Sequence, residues 1–223
     1  MHSIETDTTK TKQLLKLAFG LGIFTIVYNI IEGVVSTYFG YVDETLTLFG
    51  FGVDSFIEAL SAIGILNMIV LIRQNAYQTT TKFEKTALRI TGYSFYILSV
   101  GLVISAAINF FTASKPHTTL WGIYISCISI VVMILLAVWK IQIGRKLNSN
   151  PMIADAKCTI VCIYMSVVLL LASGIYELTH FAYIDIIGSL GLAFFSLREG
   201  RECFEKIKTG KNCNCKTNNK CMQ

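Results

Sequence analysis

Charged residues and prolines are scarce in this chain, and the shortage of charge excludes an ordinary soluble domain. Asp, Glu, Lys and Arg make up only 15% of the 223 residues, whereas 53% are hydrophobic. Such a balance is typical of a polytopic membrane protein. The two prolines, Pro116 and Pro151, fall between apolar stretches, where a missing N–H does not break a helix. The sequence also lacks a Gly-x-x-x-x-Gly-Lys-Ser/Thr loop, so no ATP site of that kind is predicted.

Long apolar stretches account for most of the chain. A helix needs about 20 mainly apolar residues to cross the hydrocarbon core of a bilayer. Six stretches approach or exceed that length, and the last of them is the shortest. The sequence therefore predicts an all-α, polytopic membrane protein with six transmembrane helices. The predicted spans are Leu14–Phe39, Leu46–Ile72, Ile90–Phe111, Leu120–Trp139, Ile153–Ile175 and Phe181–Leu197.

The basic residues predict the orientation of these spans. All of the 19 Lys and Arg except Lys115 lie at the N-terminus, in or beside the second-to-third and fourth-to-fifth connections, or in the tail. By the positive-inside rule, both termini are cytoplasmic. The chain then divides into a cytoplasmic N-terminus (1–13), a six-helix transmembrane domain (14–197) and a basic, Cys-containing cytoplasmic tail (198–223). The net charge of +5 reflects this topology, and no nucleic-acid partner is predicted.

The second predicted span carries two carboxylates within an otherwise uncharged run. Asp54 and Glu58 are four residues apart, so they share one face of a helix. Each costs a few kcal/mol or more to hold in a bilayer, and such residues face an interior partner or a water-filled path. The pair therefore predicts a cation site.

The first span carries a weaker polar face. Asn29, Glu32 and Ser36 recur at helical spacing. Asn29 and Ser36 by themselves are typical of polar groups that pack helices together. Glu32 has two interpretations that remain open: a structural carboxyl hydrogen-bonded to neighbouring helices, or a participant in the passage of metal or protons.

The fifth span carries Cys158 and Cys162, which also share a helix face. Membrane cysteines are often small packing residues, but their predicted depth suggests a second role. At 1.5 Å per residue, Asp54 and Glu58 lie roughly 18 and 12 Å above the inner end of their span, and the cysteines roughly 8 and 14 Å above theirs. The two pairs can therefore meet. Two thiolates and two carboxylates would form a tetrahedral site that Zn²⁺ accepts.

These features resemble the cation diffusion facilitator (cation efflux) family of metal/proton antiporters. The resemblance covers roughly Leu14 to Glu205 and implies the six-helix fold. It depends on four segments: Asn29 to Gly33, Asp54 to Glu58, Asp155 at the start of the fifth span, and the sixth span from Asp185 to Arg198-Glu199-Gly200.

The resemblance also implies a set of site residues. In the family, an acidic pair on the second span faces a His/Asp pair on the fifth. Asp54 and Glu58 match the first pair, and Cys158 and Cys162 stand where the second pair belongs, which makes the site softer and leaves the metal preference open. The possible accessory residues are Asn29, Glu32, Asp155 and Asp185.

The segment that follows the sixth span is short. The cytoplasmic metal-binding domain that commonly follows in the family is not expected here, so a homodimer is possible but cannot be inferred from that domain. Three cysteines of the tail are weak metal candidates, and a solvated tail with incidental thiols is the alternative. They are Cys213, Cys215 and Cys221.

The favoured function is a secondary transporter of the bacterial inner membrane. It would export a divalent transition metal, Zn²⁺ first and otherwise Cd²⁺, Co²⁺ or Fe²⁺, in exchange for protons, with no resident cofactor and no enzymatic activity. One alternative is a metal-binding membrane sensor or partner subunit without transport. A membrane thiol oxidoreductase is less favoured, because the spacing of Cys158 and Cys162 is not Cys-x-x-Cys.

Overall fold

The computed structural model describes residues 2–73, 77–112, 116–147, 150–181 and 183–209, and within these ranges it does not describe every side chain. Across the described residues the chain forms six α-helices and no strand, which confirms the predicted fold class. The tail cysteines 213, 215 and 221 lie outside the described residues. The helices are α1 (His2–Val42), α2 (Leu46–Arg73), α3 (Tyr77–Thr112), α4 (Leu120–Lys146), α5 (Asn150–Thr179) and α6 (Tyr183–Thr209).

The helices are longer than the predicted spans, mainly at the ends that the positive-inside rule predicts to be cytoplasmic. α3 begins at Tyr77 and α6 continues to Thr209, because a helix continues into polar sequence that a search for apolar residues does not detect. Pro151, which we expected in a connection, is the second residue of α5. A first-turn proline fits there because that N–H has no partner within the helix.

Over the residues that the structure describes, five of the six helices are long and apolar enough to cross a membrane, and α6 is the exception. Large apolar side chains face outward along the bundle, including Ile97 on α3 and Ile128 on α4. The buried side chains include many polar groups, such as Ser129, Ser166 and Ser189. A surface of this kind is stable against lipid, where all backbone polar groups must be satisfied within helices.

The central helix of the bundle is α2, which contacts α1, α3, α5 and α6. Its contact with α1 is especially close. A Cβ atom added at Gly52 would lie 2.6 Å from the backbone nitrogen of Thr37, and one at Gly33 would lie 2.9 Å from the ring of Phe56. Small residues allow membrane helices to approach at this distance. The close packing places the acidic face of α2 inside the bundle, against α1, α5 and α6.

Candidate metal-transport site

The acidic pair of α2 lies in the middle of the bundle. Asp54 is 2% exposed and Glu58 is 5% exposed. Within the described part of the chain, one oxygen of each carboxyl group, Oδ1 of Asp54 and Oε1 of Glu58, has no hydrogen-bond partner. A buried polar atom without a partner costs about 1–3 kcal/mol. Two such oxygens one turn apart are a feature that a purely structural pair of carboxyls would not need.

The two cysteines of α5, Cys158 and Cys162, have different neighbours. Cys162 is buried, and its thiol interacts with the Glu58 carboxyl and lies near Asp54. Cys158, one turn nearer the start of α5, interacts with Glu199 of α6 and with Asp155. The two predicted pairs therefore do come together, chiefly through Glu58 and Cys162, while Cys158 also faces α6.

The predicted ligands do not form a closed coordination sphere in this conformation. Among the residues that the structure describes, no three His, Cys, Asp or Glu side chains are arranged so that they could hold a metal ion. The assignment of Asp54, Glu58, Cys158 and Cys162 as ligands thus stays a prediction. We call these four residues the central site.

The polar face of α1 lines the central site, and its residues Asn29 and Glu32 differ in their hydrogen bonding. Asn29 is fully buried and interacts with Glu58, yet its amide atoms have no hydrogen bond of normal geometry to any described residue. Glu32 is well satisfied: Tyr28 Oη donates to Oε1 at 2.9 Å and Ser55 Oγ donates to Oε2 at 3.0 Å. Of the two open interpretations of Glu32, this geometry favours the structural carboxyl, whereas the buried amide atoms of Asn29 lack a hydrogen-bond partner among the described residues.

A buried ion pair lies beside the central site, on the side that the positive-inside rule predicts to be cytoplasmic. Lys140 of α4 is 1% exposed, and its Nζ lies 2.9 Å from Oδ2 of Asp155 and donates to Thr159 Oγ1 at 3.0 Å. The amine also interacts electrostatically with Glu58. Asp155, a predicted accessory metal residue, therefore has a cation partner within the protein. The pair lines a cavity of ≈ 10 Å³, which is about the room that one water molecule needs.

We expect Lys140→Ala to destabilise the folded protein by about 3–5 kcal/mol, because it leaves the Asp155 carboxylate buried and unpaired. Denaturant unfolding in detergent micelles measures this change. Replacing both partners by apolar residues, as Lys140→Met with Asp155→Leu, should recover most of the loss, since burial of the two charges also carries a cost. If the double variant is as unstable as the single one, the charge pair is not the cause.

Asp185, the other predicted accessory residue, lies in the first turn of α6, at the end of the bundle where α2 begins. Its two carboxyl oxygens accept hydrogen bonds from the backbone N–H groups of Leu46 at 2.8 Å and Thr47 at 3.1 Å. These are first-turn donors of α2, which have no partner within the helix. Glu177 of α5 acts in the same way at the start of α4, where it also accepts a hydrogen bond from Thr118 Oγ1 at 2.8 Å. The geometry favours a capping role for Asp185, and its role toward metal stays a prediction.

The sequence predicts no site role for two charged residues near the central site. Lys140 directly follows Trp139, which places it in a predicted connection, and Glu199, although part of the segment that carries the family resemblance, lies two residues beyond the last predicted span. Both are at least 97% buried, at 1% and 3% exposure. Helical spacing offered one usable signal: Glu199 falls on the same face as Ser189, Ser196 and Asp185, all of which are buried.

The comparison with known families agrees with this geometry. Residues 21–206 match the model of the cation efflux transmembrane domain. The match covers all six helices at least in part and includes every residue of the central site. The comparison with curated proteins finds no match. The family consists of membrane transporters of metal cations, and not of enzymes.

Proposed function

Because the chain belongs to the cation efflux family, we propose that it exports divalent transition metals, with Zn²⁺ as the principal cargo, from the cytoplasm of a bacterium in exchange for protons. In this proposal residues 14–197 form the transport domain, and the central site holds the metal during transit. Cys162, Glu58 and Asp54 bind it from two facing helices, and Cys158 approaches from the cytoplasmic side.

The observation that supports the proposal most directly is the pair of buried carboxyls with unsatisfied oxygens beside a thiol. Zn²⁺ accepts carboxylate oxygens and thiolate sulfurs in tetrahedral sites. Asp54 Oδ1 and Glu58 Oε1 have no partner among the described residues, and Cys162 is next to Glu58. A divalent cation would satisfy these atoms and neutralise the two carboxylates. Since the ligands do not yet converge, binding has to draw α2 and α5 together, which is the kind of movement that alternating access requires.

Proton exchange follows from the chemistry of the same atoms. Carboxylates and thiolates bind metal only when they are deprotonated, so metal and protons compete for Asp54, Glu58 and Cys162. Two carboxyls one turn apart titrate as a coupled unit. When the site opens outward, incoming protons displace the metal; when it opens inward, the lower proton concentration of the cytoplasm allows the ligands to bind metal again.

Lys140 has a separate part in the proposal. Its ammonium group pairs with Asp155 and interacts electrostatically with Glu58, so it partly balances the negative charge of the central site when no metal is bound. A fixed internal cation of this kind lowers the cost of keeping buried carboxylates in the bilayer. Because Asp155 is paired with Lys140, Asp155 is not a metal ligand in this proposal.

Flux in proteoliposomes tests the function. We expect purified protein to accumulate Zn²⁺ in vesicles when the lumen is made more acidic than the bath, and the lumen to become less acidic as zinc enters. A metal-sensitive dye and a pH-sensitive dye in the lumen measure the two movements. Zn²⁺ uptake at a rate that does not depend on the proton gradient would contradict the exchange of Zn²⁺ for protons. Saturable Zn²⁺ binding without any flux would contradict transport and would favour the alternative function, a metal-binding membrane sensor or partner subunit that does not transport.

A further inference from the structure

The cavity beside the buried ion pair lies in a seam between two pairs of helices. Helix α1 packs on α2, and α4 packs on α5. A Cβ added at Gly22 of α1 would lie 2.6 Å from Leu66 of α2, and one at Gly144 of α4 would lie 3.1 Å from Ile153 of α5. Contact is therefore close within each pair, and the cavity of ≈ 10 Å³ lies between the pairs. Residues of all four helices line it, including Ala18, Gly22, Ala62, Leu66, Lys140 and Asp155.

The seam leads toward the central site. On α2, Ala62 lies one turn beyond Glu58, and on α5, Asp155 lies two turns before Cys162, so each cavity residue shares a helix face with a residue of the central site. In both helices the cavity residue is the one nearer the end that the positive-inside rule predicts to be cytoplasmic. A cation that enters from the cytoplasm between the two helix pairs would therefore reach the cavity before the central site.

Lys140 and Asp155 close the seam at this level. The Nζ atom of Lys140 lies 2.9 Å from Oδ2 of Asp155 and donates to Oγ1 of Thr159 at 3.0 Å. Thr159 is fully buried and lies one turn closer to the central site than Asp155. A cation in the seam would meet the positive charge of the ammonium group, and the cavity has room for only about one water molecule.

A buried ion pair is well suited to a contact that must break in each transport cycle. The cost of removing two charges from water offsets much of their attraction, so the net contribution of such a pair is small. When the seam opens, water hydrates both charges and returns most of that cost. An apolar contact of the same size would lose its hydrophobic stabilisation on opening, with nothing to replace it.

We propose that the Lys140–Asp155 pair is the cytoplasmic gate of the transport path. In this conformation the gate is closed. It opens when α1 and α2 separate from α4 and α5 along the seam, so that the two charged groups part and become hydrated. The role as a gate rests on the proposed transport function, whereas closure of the seam by the pair can be measured without transport.

Thiol labelling from the cytoplasmic side tests the closure. Cys162 is a native reporter, because it is 7% exposed and lies two turns beyond Asp155. A small, membrane-impermeant methanethiosulfonate is added to vesicles in which the cytoplasmic face of the protein points outward. Mass spectrometry of peptides then measures the modified fraction of Cys162 separately from that of the other cysteines.

We expect Cys162 to be modified slowly in the parent protein and at least about tenfold faster in Lys140→Met, because an unpaired Asp155 carboxylate destabilises the closed state. Lys140→Arg keeps the charge pair and should label as slowly as the parent. Ala106→Cys, added to each protein, is the control for general loosening. Ala106 is 3% exposed on α3 and outside the seam, so its replacement should stay unmodified throughout.

Replacing both partners by apolar residues distinguishes a gate from a purely structural pair. Lys140→Met with Asp155→Leu is the double variant that we expect to be nearly as stable as the parent. Because water does not hydrate an apolar seam, the closed state should be favoured, so Cys162 should label slowly and Zn²⁺ flux should fall by at least about tenfold. If the pair only stabilises the fold, flux should recover together with stability.

Two results would overturn the gate. One is equal labelling of Cys162 in the parent and in Lys140→Met while Ala106→Cys stays unmodified; the other is parental Zn²⁺ flux in the folded double variant. If Lys140→Met also allows labelling of Ala106→Cys, the whole bundle has loosened, and the flux of the double variant decides. An absence of flux in the unsubstituted protein would refute the transport function, while the labelling rates would still decide whether the pair closes the seam.

Discussion

Zinc flux should fall by at least about 100-fold when Asp54 is replaced by alanine or asparagine, because the proposed function makes Asp54 a direct ligand, and even outer partners of metal sites contribute 10–100-fold. Glu58→Gln should lose most of the flux as well. Initial uptake rates in proteoliposomes, at matched protein content and orientation, measure the effect.

The same variants give a stability readout that separates function from folding. Asp54 is 2% exposed with one oxygen unpartnered, so an amide of the same shape replaces the carboxyl at little cost. We therefore expect Asp54→Asn to unfold at the same temperature as the parent protein, or a higher one. Glu44→Gln, at an exposed outer position, is the control that should retain flux. Normal zinc transport by Asp54→Asn would remove the central site from the mechanism.

The second large effect concerns the choice of metal. Thiolates select soft cations, so Cys158→His combined with Cys162→Asp should keep zinc transport but lower the preference for Cd²⁺ over Zn²⁺ by about tenfold or more. Competition between the two metals in one vesicle preparation measures the ratio directly. Because Cys162 touches Glu58 and Cys158 also faces α6, Cys162→Asp alone should account for most of the change at the central site.

The outcome against this prediction is an unchanged cadmium preference in the double variant. That result would make both cysteines packing residues, as their small size and burial would otherwise suggest. Cys127→Ser is again the matched control, since Cys127 is an exposed cysteine of α4. A loss of transport of both metals, with the protein still inserted and folded, would instead mean that the site cannot accept the harder ligands.

Much of this molecule is determined by local sequence. Apolar stretches of membrane-spanning length, with few charges and no proline inside them, leave the backbone only one way to satisfy its polar groups in lipid, and six helices follow. The pairing of Asp54 with Glu58 on one face follows from helical spacing alone. The spacing of Cys158 and Cys162 is equally local, and the estimate of depth was enough to predict that the two pairs meet.

Only the tertiary structure decided what each polar residue contacts. Lys140 and Asp155 are far enough apart in the chain that no spacing rule connects them, yet α4 and α5 bring their charged atoms to 2.9 Å. Asp185 binds first-turn N–H groups of α2, more than a hundred residues earlier in the chain. Glu199 lies beyond the last apolar run, but the packing of α6 against α5 and α2 buries it near the acids. A partner across the bundle is set by helix packing, and hydropathy and periodicity carry no information about which helices become neighbours.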